Sequence, residues 1–118
     1  MEMILRSIYE EYEKNPNTLG VLLIKKRDRS ISTTDTFDAT ILIIVNSGEQ
    51  PVFVKHYCIQ EKKASLHIVS EEKMREWMLL GTNRKIIDWL YNGKILFDRN
   101  EYITNLRKEL KDFPLEVR

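Results

Sequence analysis

Cys58 is the only cysteine, so the chain forms no internal disulfide and builds no cysteine-based zinc site. That fits a reducing compartment. Nineteen basic side chains against eighteen acidic ones leave a formal net charge of +1, too little for a global field that draws the protein to nucleic acid or a membrane surface. No apolar run approaches the ~20 residues of a spanning helix, and the N-terminus is acidic where a signal peptide would be basic and then apolar. The expectation is a cytoplasmic protein with no membrane partner. Also missing are G-x-x-x-x-G-K-[ST], G-x-G-x-x-G, H-E-x-x-H and G-x-S-x-G, which removes the P-loop, dinucleotide, zinc-protease and nucleophile-elbow chemistries from consideration.

What is present suits one globular domain over residues 1–118, with 42% hydrophobic and 31% charged residues. "MEMILRSIYEEYEKN" spaces Ile4, Leu5, Ile8, Tyr9 and Tyr12 as an amphipathic helix that stops before Pro16. "TLGVLLIKK" reads as a first strand, and "DATILIIV" as a second that is apolar on both faces and therefore covered on both. "PVFVKHYCIQ" and "ASLHIVS" read as a hairpin turning at Glu61 and Lys62, which sets His56 opposite His67. Ser70 caps a helix "EEKMREWMLL" ended by Gly81, and Thr82 caps "NRKIIDWLY" ended by Gly93. "KILFD" is a short strand, and "NEYITNLRKELKDF" a closing helix ended by Pro114. The order predicts an α+β fold, a small mixed or antiparallel sheet covered by helices.

Several residues carry chemistry on one reading and structure on another. Asp38 opens a very hydrophobic strand, either as a turn residue bonded to its own loop or as a metal-binding carboxylate, and Asp35 stands in the same loop. His56 and His67 make a two-histidine site if Cys58 or Asp38 approaches; otherwise they are half-buried partners for backbone or hydroxyl groups. Lys25, Lys26, Arg27 and Arg29 could contact phosphates, although Asp28 interrupts them and a solvated loop is the better account. Trp77, Trp89 and the methionines, at helical spacings, read as core or as a docking face.

The spacing of these segments resembles the nucleotidyltransferase superfamily. There a Gly-Ser pair follows the first strand, a loop intervenes, two alternating acids open the next strand, and a later strand gives a third. Here "LLIKK" is followed by residues 27–37 and then "DATILIIV"; "SLHIVSEEKMREWMLLG" and "IIDWLYNGKILFDRNEYITNLRKEL" are similar to the downstream strand and helices. Nearly the whole chain is also similar to the N-terminal domain of longer bacterial proteins of the YgxA type, described as nucleotidyltransferase-like. The resemblance implies that Lys25 and Lys26 stand where the Gly-Ser turn admits the triphosphate, that Asp38 is the first metal ligand, and that Thr40 takes the place of the second. His67 then falls on the strand that carries the third. A hydroxyl is a weak neutral ligand and imidazole suits Mg²⁺ poorly, so the catalytic motif is incomplete. Two readings follow. In one, the domain is a non-catalytic module binding a nucleotide, an RNA or a protein through the old cleft. In the other, it is an active transferase that uses an NTP and Mg²⁺ held by Asp38, helped by Asp35. The apolar spacing of the late helices further suggests a partner on the helices after Gly81, either a C-terminal helical domain of a longer chain or a second copy in a homodimer.

Overall fold

The protein is described by a computed structural model that covers residues 2–25, 39–46, 52–59 and 62–111. Helix α1 (Glu2–Lys14) leads into strand β1 (Thr18–Lys25), followed by β2 (Ala39–Val45), β3 (Val52–Ile59) and β4 (Lys62–Ser70). Helices α2 (Glu71–Leu80) and α3 (Arg84–Asn92), strand β5 (Lys94–Asp98), a 3-10 turn (Arg99–Glu101) and α4 (Tyr102–Lys111) complete the order. The strands form one mixed sheet in the order β3-β4-β2-β1-β5. Among the described residues only the β2–β4 pairing is parallel.

β2 is central because every one of its side chains is apolar or small enough to bury. Ala39 through Val45 are all buried, as the continuous run of branched residues predicts for a strand covered on both faces. Leu42 and Ile44 join Leu22, Ile24 and Val69 on one face. That face lies under Met74 and Met78 of α2, Ile86, Trp89 and Leu90 of α3, and Ile103 and Leu106 of α4. Ile41, Ile43 and Val45 join Val21, Leu23 and Leu66 on the other, where Tyr9 and Tyr12 of α1 pack. Each fully buried Ile or Leu stabilises by about 1.5–3 kcal/mol relative to exposure, so the two cores anchor the sheet from both sides.

The helix ends follow local chemistry, with two corrections. The Ser70 hydroxyl accepts from the Lys73 N–H at 3.2 Å, and Gly81 closes α2 with φ 67, the left-handed conformation that favours glycine. The residue before α3 is Asn83 rather than Thr82; Asn83 is itself left-handed (φ 49), and the Thr82 N–H turns back to the Trp77 carbonyl at 3.1 Å. The closing helix begins at Tyr102, later than its polar start at Asn100 suggests, because Asn100 and Glu101 are left-handed (φ 51 and 59). Its cap comes from farther back. The Asp98 carboxylate accepts from the Ile103 N–H at 2.6 Å, the Thr104 N–H at 3.3 Å and the Thr104 hydroxyl at 2.7 Å.

Two arginines tie elements together through carbonyls. Arg107 donates to the carbonyls of Leu90 and Gly93, joining α4 to the end of α3. Arg99 donates to the carbonyls of Thr18, Glu13 and Asn15 at 2.8, 3.4 and 3.3 Å, which fixes the turn between α1 and β1 against the start of α4. Exposed large apolar side chains are few among the described residues: Leu79 and Leu80 at the end of α2, Tyr91 on α3, and Phe53 and Val54 on β3. The apolar exposure therefore lies mostly before Gly81, and Trp89 belongs to the core.

Asp98→Ala removes the carboxylate that serves three donors at the start of α4. The expected loss is about 1–2 kcal/mol in urea unfolding, with Asp98→Asn recovering part of it.

Candidate functional site

The loop that carries Asp35 and Asp38 joins β1 to β2, and pairing of these strands sets where it begins and ends. Ile24 pairs with Thr40 and Lys25 with Ala39, so the end of β1 and the start of β2 are adjacent, as a strand–loop–strand link of this length predicts. Lys26, Asp35 and Asp38 lie outside the described residues. Lys25 is the last residue of β1.

From Thr40 a row of side chains on one sheet face can be followed outward. Thr40 pairs with Ser65 on β4, and Ser65 pairs with His56 on β3. Parallel and antiparallel partners share a face, so this row lies on the side covered by α2, α3 and α4. The Thr40 Oγ1 and Ser65 Oγ are 2.8 Å apart and hydrogen-bonded, with the two residues only 5% and 2% exposed. Two neutral hydroxyls that bond each other satisfy a burial that a lone one would make costly. The alternate position of β2 is thus occupied by a hydroxyl already committed to its neighbour.

His67 lies one step farther along this face, paired with Leu42 on one side and Val54 on the other. Its ring meets the Trp89 ring edge-on, 5.0 Å between centroids at 73°. The Lys85 ammonium stands 5.2 Å from the Trp89 centroid, within cation–π range. His56 is opposite Ser65, not His67, because β3 and β4 are in the register that pairs Ile59 with Lys62, one residue earlier than a turn centred on Glu61 and Lys62 would set. Moving the turn one residue shifts each partner by two, which keeps the face and changes the neighbour. Cys58 is exposed, opposite Lys63. No group of three or more His, Cys, Asp or Glu side chains that could hold a metal ion occurs among the described residues.

Ser65 is what sequence reasoning left out, and Trp89 entered it as core or docking face without its contact to His67. Thr40 and Ser65 are each the single hydroxyl in a largely apolar stretch, "ATILIIV" and "ASLHIV", the second broken also by His67, and that coincidence is the available signal. It becomes a contact only once β2 and β4 are known to run parallel and in register.

The geometry is that of a five-stranded mixed sheet with a strand–loop–strand mouth, and the comparisons place it. The sequence profile described as Nucleotidyltransferase-like matches residues 1–118, and the chain belongs to that family. It is 51% identical over 118 residues to a protein of Bacillus subtilis (strain 168) described as uncharacterized protein YgxA, covering all of this chain and 40% of that one. It also superposes on the crystal structure of a nucleotidyltransferase-like protein from Exiguobacterium sibiricum 255-15 with a TM-score of 0.86 and 38% identity, over 99% of this chain and 40% of that chain. The chain thus spans well under half the length of both relatives. No helix among the described residues is long and apolar enough to cross a membrane.

The hydroxyl pair gives a double-mutant test. Thr40→Val alone strands the Ser65 hydroxyl and is expected to cost about 1–3 kcal/mol, whereas adding Ser65→Ala should restore part of that loss. Chemical denaturation of both single variants and the double reads the coupling.

Proposed function

We propose that this is a nucleotidyltransferase-like domain whose active site is degenerate, a non-catalytic module that holds a nucleotide, an RNA or a protein partner at the mouth between β1 and β2. The observation that supports it most is the buried Thr40–Ser65 hydroxyl pair. Phosphoryl and nucleotidyl transfer depend on carboxylates that hold Mg²⁺ against developing charge. On the family pattern Thr40 stands at the second of these positions. A carboxylate there would be buried beside Ser65, and the neutral hydroxyl leaves Asp38, with Asp35 as a weak helper, to neutralise two metal ions alone. His67, packed against Trp89, supplies no hard oxygen donor. On the family pattern Lys25 and Lys26 replace the Gly-Ser turn, and lysine suits a bound phosphate better than the close backbone approach that glycine permits. Residues 1–118 act as one domain, and the cleft's partner is the finer point the assay must name.

The test is thermal stabilisation by ATP, CTP, GTP and UTP with and without Mg²⁺, run beside a nucleotidyl-transfer assay. Expected are no transfer, unchanged nucleotide binding in Asp38→Ala, and a stability change of about 0.5–2 kcal/mol from the lost loop hydrogen bond. Thr40→Asp should unfold more easily because it buries an unpaired charge, and should not gain transfer. Robust transfer by the wild type that vanishes in Asp38→Ala would sink this reading and establish the active Mg²⁺-dependent enzyme.

A further inference from the structure

A second concavity lies at the opposite end of β1 from Thr40. It has a volume of about 300 Å³ and is bounded by Leu19, by Arg75 of α2, by Arg99 and Asn100 of the 3-10 turn, and by Tyr102, Asn105, Leu106 and Glu109 on one face of α4. From Leu19 to Ile24 the strand runs about 17 Å, so this cleft is separate from the end of the sheet where Ile24 pairs with Thr40. The volume is at the small end of the range for ligand sites.

Its walls are rich in donors that the fold leaves unused. Arg99 spends Nε and Nη2 on the three carbonyls of the α1–β1 turn, and Nη1 bonds nothing among the described residues. Arg75 gives Nε to Glu71 at 3.1 Å and Nη1 to Glu109 at 2.9 Å, leaving Nη2. The Asn100 and Asn105 side chains are exposed and also have no partner among the described residues. The Tyr102 hydroxyl is buried beside the Arg75 guanidinium, from which its oxygen can at most accept, and its own O–H finds no acceptor, although Glu71 and Glu109 stand close enough for it to feel their charges. Burial is the main cause that raises its pKa, with Glu71 next, so it remains a neutral donor at physiological pH. A buried hydroxyl without a partner is costly in the empty protein and is satisfied when an acceptor arrives. Glu109, the one carboxylate among the lining residues, is exposed and already sits on Arg75, so an incoming oxyanion can replace it there. Leu19 and Leu106 supply an apolar surface beside the donors.

We infer that this cleft binds a small organic oxyanion, a carboxylate or a phosphate monoester on a short apolar body, which displaces Glu109 from Arg75 and reaches Arg99 and the Tyr102 hydroxyl. Guanidinium forks suit either anion, and the two are separated by experiment.

Benzoate and phenyl phosphate share a body and differ in the anion; benzyl alcohol is the neutral control. Each is titrated into the protein at constant ionic strength while backbone amide NMR shifts are followed. Shifts should concentrate on residues 99–109 and near Arg75 with at least one of the two anions, and the better anion names the class. Tyr102→Phe should weaken that binding about tenfold, one hydrogen bond's worth, with no fall in melting temperature. Glu109→Gln should tighten it several-fold, while Glu10→Gln, the same change of net charge on exposed α1, should leave it alone. Absence of anion-dependent shifts in this region, equal binding by Tyr102→Phe, or equal tightening by Glu10→Gln would each overturn the inference.

Discussion

Burial of β2 on both faces is the constraint from which the architecture follows. A strand that is apolar on both faces apart from Thr40 cannot carry a wet face, so it is placed inside the sheet with helices above and below. Antiparallel β1 and parallel β4 supply the neighbours. β4 can run parallel to β2 because β3 carries the chain back along the sheet's edge and pairs antiparallel outside β4, so the hairpin becomes the sheet's border. The helices after Ser70 then have one face to cover, and α1 has the other.

The same constraint shapes the candidate site. A polar residue near the start of so buried a strand is tolerated only if a neighbour satisfies it, and Ser65 does this for Thr40. A carboxylate at that position would need a metal or a cation to offset its desolvation. The hydroxyl pair needs neither, and it lets the sheet close up to the mouth of the loop without any ion. Across the face, His67 is likewise packed on an aromatic ring of α3.

Much of the fold was legible because its signals are local. The doubly apolar "DATILIIV", the Ser70 cap with Glu71 and Glu72 behind it, and glycines at both helix ends each determine structure within a few residues. What was not legible depends on distant or ambiguous partners. The hairpin turn could be centred one residue either way, and only side-chain packing along β4 selects the register that puts His56 beside Ser65. The cap of α4 hides because Asp98 reaches forward over two left-handed residues to Ile103 and Thr104, a span longer than the usual capping box. At the candidate site, the departures from the acidic pattern at Thr40 and His67 could be read directly, whereas the Thr40–Ser65 contact required the parallel pairing. Arg99 and its cleft left no pattern at all, since the walls come from three stretches far apart in the chain, β1, α2 and the 3-10 turn with α4.

The position of β1 in the sheet has a consequence for how the molecule is made. β1 forms early in the chain, yet one of its two edges is closed only by β5, where Gly20 meets Asp98 and Leu23 meets Lys94. Arg99, which follows at once, fastens the turn before β1. As the polypeptide leaves the ribosome, β1 therefore waits with a bare row of backbone groups until almost the entire domain has emerged. The β3–β4 hairpin and the helix that follows it can form in the meantime, but the sheet is sealed from the far end of the chain, and a nascent form stalled before residue 94 keeps an edge open to association with its neighbours.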